Sequence, residues 1–381
     1  MKVGIIGQGY VGLSLANALV KAGHEVYGFD TNSQVVASLS KTAKHHVSDS
    51  PSIFEDLAVI IIAVPTPLDD MRKPDLVAVK AACKTIIQNV TKPLLVINES
   101  TSYPGTLRNE IASVIESATG LGHTYAASPE RVDPGNENWS QKNTPRLLAG
   151  LTPEATRLAR EFYSSFCDQI VEVSTPEVAE AAKLFENTFR QVNIALVNEF
   201  AQISNALNIP TREVLEAAST KPFGFMSFQP GPGVGGHCIP IDPSYLAHVA
   251  EAAGVPATFI RYANEVNLGM PTYVVSRVAE DVGSLKNKKI VVVGVAYKAN
   301  VTDTREAPAA LVISELQRLG AEVSWHDPVV GKWKGQDSSQ LKGFDIAIVV
   351  TKHDSVSEAD IRAGAPYVFD CTGTIKDVGG L

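Results

Sequence analysis

Cysteine is scarce, with four thiols at positions 83, 167, 238 and 371 of 381 residues and no CxxC spacing among them. This excludes a disulfide framework and the paired-thiol zinc sites, and it fits free thiols in a reducing compartment. Positive charge is also in deficit, 33 Lys and Arg against 41 Asp and Glu, for a net charge of −8. Nucleic acid and anionic membrane are therefore poor main partners, although a local basic pocket for a small anion remains open. No stretch reaches the roughly 18 uncharged apolar residues that a membrane span requires. The apolar opening VGIIGQGYVGLSLANALV is broken by glycines and runs straight into a folded pattern, so it reads as part of a domain and not as a secretory leader. The expectation is a cytoplasmic protein acting on small molecules, with no metal, nucleic-acid or membrane partner.

What is present is an alternation of strand and helix patterns. Lys2 to Ile6 is a short β-branched run, Leu13 to Ala22 has helical periodicity ended by Gly23, and Glu25 to Phe29 forms a second strand closing on Asp30. Strands are expected again at 58–64, 94–98 and 124–127, alternating with helices at 76–89 and 106–117, a parallel doubly wound arrangement. From Thr175 the pattern becomes one uninterrupted helix with no Gly or Pro before Pro210, spanning on the order of 45 Å. A second series follows, with strands expected at 288–295, 322–326, 345–350 and 367–370. The predicted fold class is α/β, with two Rossmann-like lobes of parallel sheet joined by a long central helix and a helical middle domain. The expected boundaries are 1–174, 175–283 and 284–381.

Several segments carry chemistry, and each also has a plain structural reading. Gly7-Gln8-Gly9-Tyr10-Val11-Gly12 follows a strand, opens a helix, and is answered by Asp30 at the end of the next strand. Gly7 permits the tight turn, Gly9 the close approach of a pyrophosphate, and Gly12 close helix packing. Asp30 would accept hydrogen bonds from a ribose and repel a 2′-phosphate, which favours NAD over NADP. VPTP at 64–67, ESTSYPGT at 99–106 and SPERVDPG at 128–135 follow strands, as ligand loops or as turns. Glu180, Lys183, Asn187 and Arg190 share one face of the long helix, either a solvated face or a convergent polar cluster. GPGVGGHCIPIDP at 231–243 sets Cys238 in a loop of glycines and prolines that neither helix nor strand tolerates. It is a surface turn or a built site. His237 adjoins the cysteine, but neighbours in an extended loop point to opposite sides, which argues against a Cys–His pair.

Taken in order, VGIIGQGYVGLSLA, IIAVPTP, ESTSYPGT, SPERVDPG, EAAKLFENTFRQVNIALVNE, GPGVGGHCIPIDPSYL, GVAYKANVTDTREAP and TKHD resemble the UDP-glucose/GDP-mannose dehydrogenase family over nearly the whole chain. SPER and GPGVGGHCIPIDP look more like the branch that oxidises UDP-N-acetylhexosamines, especially UDP-N-acetylmannosamine. The resemblance implies a four-electron oxidation at C6 that consumes two NAD. Cys238 attacks the aldehyde of the first oxidation, and the thiohemiacetal is oxidised to a thioester that water hydrolyses. Lys183 and Asn187 would polarise and stabilise the oxygen at C6, with Asp242 ordering a water and the lysine. Glu130 would be the acid/base for hydrolysis, and Thr101 would lie near the nicotinamide or that water. The cofactor residues implied are Gly7, Gly9, Tyr10, Val11, Gly12, Asp30, Thr66, Thr101 and Arg305. Those for the substrate are Arg131, Val132, Lys183, Asn187, Arg190, Gly235, Arg261 and Lys298. A homodimer through the central helix is implied too, consistent with apolar Leu184, Val192, Ala195, Leu196, Phe200 and Ile203 on more than one face.

The substrate side departs from the pattern. Pro222 and Gly224 stand where the acetamidohexose branch usually has a histidine and an arginine, Thr372 replaces the basic residue of a late D-x-[RK] motif, and the G-x-x-P-x-x-E segment is missing between Leu39 and Pro51. UDP-glucose, or a less charged nucleoside or nucleoside monophosphate, is the alternative substrate; Lys221 is the nearest compensating cation. A single-step hydroxyacid dehydrogenase of the 6-phosphogluconate type and a non-catalytic NAD-binding protein are the other classes.

Overall fold

The computed structural model describes residues 1–133, 136 and 138–381; the Pro134-Gly135 end of SPERVDPG lies outside the described residues. The chain divides into two compact units, Met1–Glu186 with Ser244–Val255, and Asn187–Pro243 with Pro256–Leu381.

The first unit holds strands β1 (Lys2–Ile6), β2 (Glu25–Phe29), β3 (His46–Ser48), β4 (Val59–Ile62), β5 (Leu95–Asn98), β6 (Thr124–Ala127), β7 (Arg146–Gly150) and β8 (Ile170–Glu172). They form one sheet in the order β3-β2-β1-β4-β5-β6-β7-β8. All neighbouring pairs are parallel except β6 and β7, between which no helix occurs among the described residues. β4 and β5 are buried at every position, as expected of parallel strands covered on both faces. Helices α1 (Tyr10–Lys21), α2 (Ser33–Leu39), α3 (Val77–Asn89), α4 (Ser113–Thr119) and α5 (Pro153–Tyr163) accompany them. Leu15 and Leu19 of α1 and Phe162 and Tyr163 of α5 join Val3, Ile5, Ile61 and Ile97 in the core. The helix expected at 106–117 opens as a π-helical turn, Leu107–Ala112, before continuing as α4. The strand order reverses at β1 and β4, the place where such sheets bind ligands at their carboxyl ends.

The long helix is α6 (Pro176–Ala206), 31 residues, and it runs from the first unit into the second. The second unit adds α7 (Thr211–Ser219), followed by α8 (Asp242–Ala252), which lies largely in the first unit's segment, then α9 (Thr258–Val282), α10 (Ala309–Arg318) and α11 (Glu358–Gly364). Its strands are β9 (Lys289–Val293), β10 (Glu322–His326), β11 (Lys332–Trp333), β12 (Gln336–Asp337), β13 (Ile346–Val349), β14 (Tyr367–Asp370) and β15 (Gly379–Gly380). β10-β9-β13-β14-β15 is parallel throughout, and β11 and β12 form a small antiparallel ribbon. Val274 and Val278 of α9 and Leu316 of α10 pack on Ile290, Val292, Ile348 and Phe369. A buried amide pair ties α6 to α9, with Asn198 donating to Asn267 at 2.9 Å. The oxygen of Asn198 accepts from the Gly231 N–H at 2.9 Å, anchoring the start of the cysteine loop. No helix among the described residues is long and apolar enough to cross a membrane.

Candidate active site

The glycines of the first loop divide their labour. Gly7 has φ +96°, and a Cβ there would lie 2.3 Å from the Ala63 carbonyl oxygen; at Gly12 it would lie 1.9 Å from the carbonyl oxygen of Gly7. Gly9 meets nothing within 4 Å, so its lack of a side chain serves no packing and leaves open space. It is the N-cap of α1, with no capping side chain and no acidic residue in the first turn, which leaves the N-terminal N–H groups for an anion. Val11 packs against the core, whereas Tyr10 is exposed. Asp30 accepts from the peptide N–H of Gln8 at 2.8 Å and of Asn32 at 2.9 Å, so its carboxylate also shapes the loop. Thr66 is buried after β4 and Thr101 half-buried after β5. Ser100 links the two loops, accepting from the Val64 N–H at 2.9 Å.

Glu130 lies in a buried charge cluster that the sequence reading missed. One of its oxygens accepts from the peptide N–H groups of Arg131 and Val132 at 2.7 and 2.6 Å; the other accepts from Gln141 at 2.7 Å and Arg146 at 3.4 Å. Burial alone would raise this carboxyl, but the Arg146 charge and these donors outweigh it and hold it below the usual range. Arg146 is also 3.0 Å from Glu99, whose carboxyl is pushed up to about 7 by burial, against the pull of Arg146. Tyr163 donates to Glu99 at 2.5 Å. Glu130 is thus an ionised carboxylate, well suited to hold a water or a cation and weakly basic for proton abstraction. Arg131 pairs with Glu186 at 2.7 Å and donates to the Pro145 carbonyl at 2.7 Å, so a substrate contact would compete with these bonds.

On α6 the four polar residues do share a stripe, from buried Glu180 and Lys183 through half-buried Asn187 to exposed Arg190. Glu180 is a brace: its carboxylate accepts from the Gly105 and Leu107 N–H groups at 2.7 and 2.9 Å and from the Ser102 hydroxyl at 3.3 Å. Asn187 donates to the buried Asp242 carboxylate at 2.5 Å. Asp242 opens α8, and its N–H donates to the carbonyl of Cys238 at 2.8 Å, so the cysteine and its acidic neighbour form one turn. That turn is seated by glycines. A Cβ at Gly235 would meet Tyr297 at 2.8 Å and the Glu306 carbonyl at 3.0 Å, and Gly236 has φ +88° and lies against the Tyr297 ring. Cys238 is half-buried, while the other three thiols are buried. Burial pushes Cys83 up to about 12 and Cys167 to about 11, and raises Cys371 as well. Arg305 is within electrostatic range of Cys238 but pairs with Asp303 at 2.6 Å. Burial, then the Arg305 charge, lowers His237 and keeps it neutral near pH 7. Lys298 is half-buried in the loop after β9, and Arg261 is exposed on α9.

Family models match three consecutive stretches: the NAD binding domain of the UDP-glucose/GDP-mannose dehydrogenase family at residues 42–167, its central domain at 177–268, and its UDP binding domain at 291–377. The chain belongs to this family. Residues 2–70 also match a model described as NADP oxidoreductase, coenzyme F420-dependent, which covers the first βαβ unit. Protein CapL of Staphylococcus aureus is 34% identical over all of this chain and 96% of its own length. A UDP-N-acetyl-D-glucosamine 6-dehydrogenase of Pseudomonas aeruginosa is 36% identical over 87% of this chain and 83% of its own. Among solved structures, the UDP-D-ManNAc dehydrogenase of Pyrococcus horikoshii is 31% identical with a TM-score of 0.90, covering all of this chain and 99% of that one. As a member of the UDP-glucose/GDP-mannose dehydrogenase family, the protein is an NAD-dependent oxidoreductase, and the open backbone at Gly9 with Asp30 beyond it fits that cofactor.

Proposed function

We propose that the protein oxidises the C6 primary alcohol of a UDP-N-acetylhexosamine to the carboxylate. Bound NAD supplies the hydride acceptor for each of the two oxidations. The first gives the aldehyde. The thiolate of Cys238 adds to that carbonyl, the thiohemiacetal gives up a second hydride to become a thioester, and water releases the acid and the thiol. Lys183 and Asn187 polarise the oxygen at C6, and Asp242, bonded to Asn187, orders a water and the lysine. Glu130, with Thr101, holds the hydrolytic water. The substrate rests on the names borne by relatives, a UDP-N-acetyl-D-glucosamine 6-dehydrogenase and UDP-N-acetyl-D-mannosamine dehydrogenases. The observation that carries the chemistry is the seating of Cys238, the one half-buried thiol, in a glycine-packed turn closed by the Asn187–Asp242 bond. Two NADH per acid formed, and no complete turnover by Cys238→Ser, is the expected result. One NADH per product with a fully active Cys238→Ser would reject it in favour of a single-step dehydrogenase.

A homodimer is part of the proposal. Phe185, Phe189, Leu196 and Ile203 of α6 are exposed and, at 3.6 residues per turn, fall within about 40° of one another, opposite the Lys183–Asn187 face. A second copy would cover this stripe. Light scattering that returns the mass of one chain at micromolar concentration would count against it.

A further inference from the structure

β14 ends at Asp370, and the turn Cys371-Thr372-Gly373 follows at the carboxyl end of a parallel strand, where ligands of such sheets bind. This turn lies within the stretch matching the UDP binding domain. Thr372 offers it no cation, and its own donors are occupied: both its N–H and its hydroxyl donate to one Asp370 oxygen, at 2.7 and 2.6 Å. The other oxygen accepts from the N–H groups of Thr374 and Ile375 at 2.7 and 2.8 Å. Asp370 is therefore satisfied by its own turn.

A guanidinium nevertheless reaches this turn from the stretch that matches the central domain. Arg212 stands in the first turn of α7. It lies directly on Gly373, where a Cβ would be 2.1 Å from its Cζ and Nε and 2.4 Å from Nη1. Only glycine at 373 leaves room for it. Nη2 donates to the Cys371 carbonyl at 3.2 Å and Nη1 to the Gln229 side chain at 2.9 Å. Both anchors are neutral, and no carboxylate pairs directly with Arg212 among the described residues. Asp370 and Glu216 act on it only at longer range. A guanidinium has five N–H donors, so Nε and one N–H on each terminal nitrogen are left for a ligand. Lys221, by contrast, is exposed with its ammonium 5.2 Å from the centre of the Phe223 ring.

We infer that Arg212 binds the diphosphate of the substrate, supplying from α7 the cation that Thr372 does not, and that Gly373 is glycine because the guanidinium occupies the side-chain space. This rests on the reading of the substrate as a UDP-sugar. A charge held by neutral acceptors in a half-buried position is the kind that phosphate oxygens recruit, through charge-assisted hydrogen bonds stronger than neutral ones.

The test is titration calorimetry of the full chain with uridine, UMP and UDP. Arg212→Ala is expected to weaken UDP by about tenfold or more while uridine binds as to the wild type. Gly373→Asn keeps the arginine but fills its seat with a residue that tolerates the left-handed φ of +69°, and is expected to lose UDP affinity in the same way. Thr372→Arg added to Arg212→Ala should restore UDP binding. UDP bound equally well by wild type and Arg212→Ala, or uridine and UDP lost in equal proportion, overturns the inference and leaves the substrate reading standing. A wild-type protein that does not bind UDP overturns both.

Discussion

Gly9 and Gly12 look alike in sequence, but substitution should separate them. At Gly12 an added methyl would sit 1.9 Å from the Gly7 carbonyl oxygen, and reaching even a tight 3.0 Å contact requires α1 to move from β1 by about 1.1 Å. Overpacking of this kind costs about 1–3 kcal/mol, and it distorts the loop itself. At Gly9 the methyl meets nothing within 4 Å, so the cost is confined to the modest difference between Gly and Ala at an N-cap, roughly 1 kcal/mol or less. Thermal melts with and without NAD read both effects. Saturating NAD at about 100 times its Kd adds roughly 2.7 kcal/mol to the wild type. Gly12→Ala should melt lower even without NAD. Gly9→Ala should melt close to wild type without NAD and lose most of the NAD-dependent rise, because its methyl projects where the pyrophosphate approaches. A Gly9→Ala protein with the full NAD-dependent rise would refute the assignment of that open space to the cofactor, and a Gly12→Ala protein of wild-type stability would refute the packing argument.

Iodoacetamide on the native protein should modify Cys238 alone, since burial shields the other three thiols and raises them; mass spectrometry showing early labelling of Cys83, Cys167 or Cys371 would contradict this. Glu180 is pushed up to about 7 by burial, from an ordinary 4.5, so the folded chain binds a proton that the unfolded chain has released. That stability is fully present below about 4.5 and is lost as pH rises through about 7. The melting temperature should therefore fall more steeply between pH 5 and pH 8 in the wild type than in Glu180→Gln, and parallel slopes would argue against the assignment. Arg146→Met leaves Glu99 and Glu130 buried beside each other without their cation, a loss expected at about 3–5 kcal/mol in urea titration; a loss below about 1 kcal/mol would mean that water already reaches the cluster.

Strands β1, β2 and β6, along with the long helix, were legible because their apolar runs are bounded by Gly or Pro and have a clear period. β3 and β8 have three residues each and are half-exposed or exposed, too short for any period to register. Within the site, glycine spacing revealed the cofactor loop and the cysteine turn, since backbone approach and side-chain absence are written in residue type. Charge partners are not written that way. Arg146 precedes an apolar run as many strand-edge arginines do, and only the fold brings it to Glu99 and Glu130. Arg131 is expected from the sequence at the substrate, and nothing in its segment points to Glu186, which the long helix brings against it. Arg212 left one trace in the sequence, a glycine at 373, and a missing side chain does not say what fills its place.

The distribution of thiols has a further consequence under oxidative stress. With Cys83, Cys167 and Cys371 sequestered, an oxidised Cys238 sulfenic acid finds no resolving cysteine within its own chain. Recovery then depends on a small-molecule thiol able to enter the glycine-lined turn, and continued exposure to peroxide carries the sulfur on to the irreversible sulfinic state. If the substrate is bound to this sulfur during turnover, as proposed, inactivation by peroxide should be slower in its presence than in the resting protein.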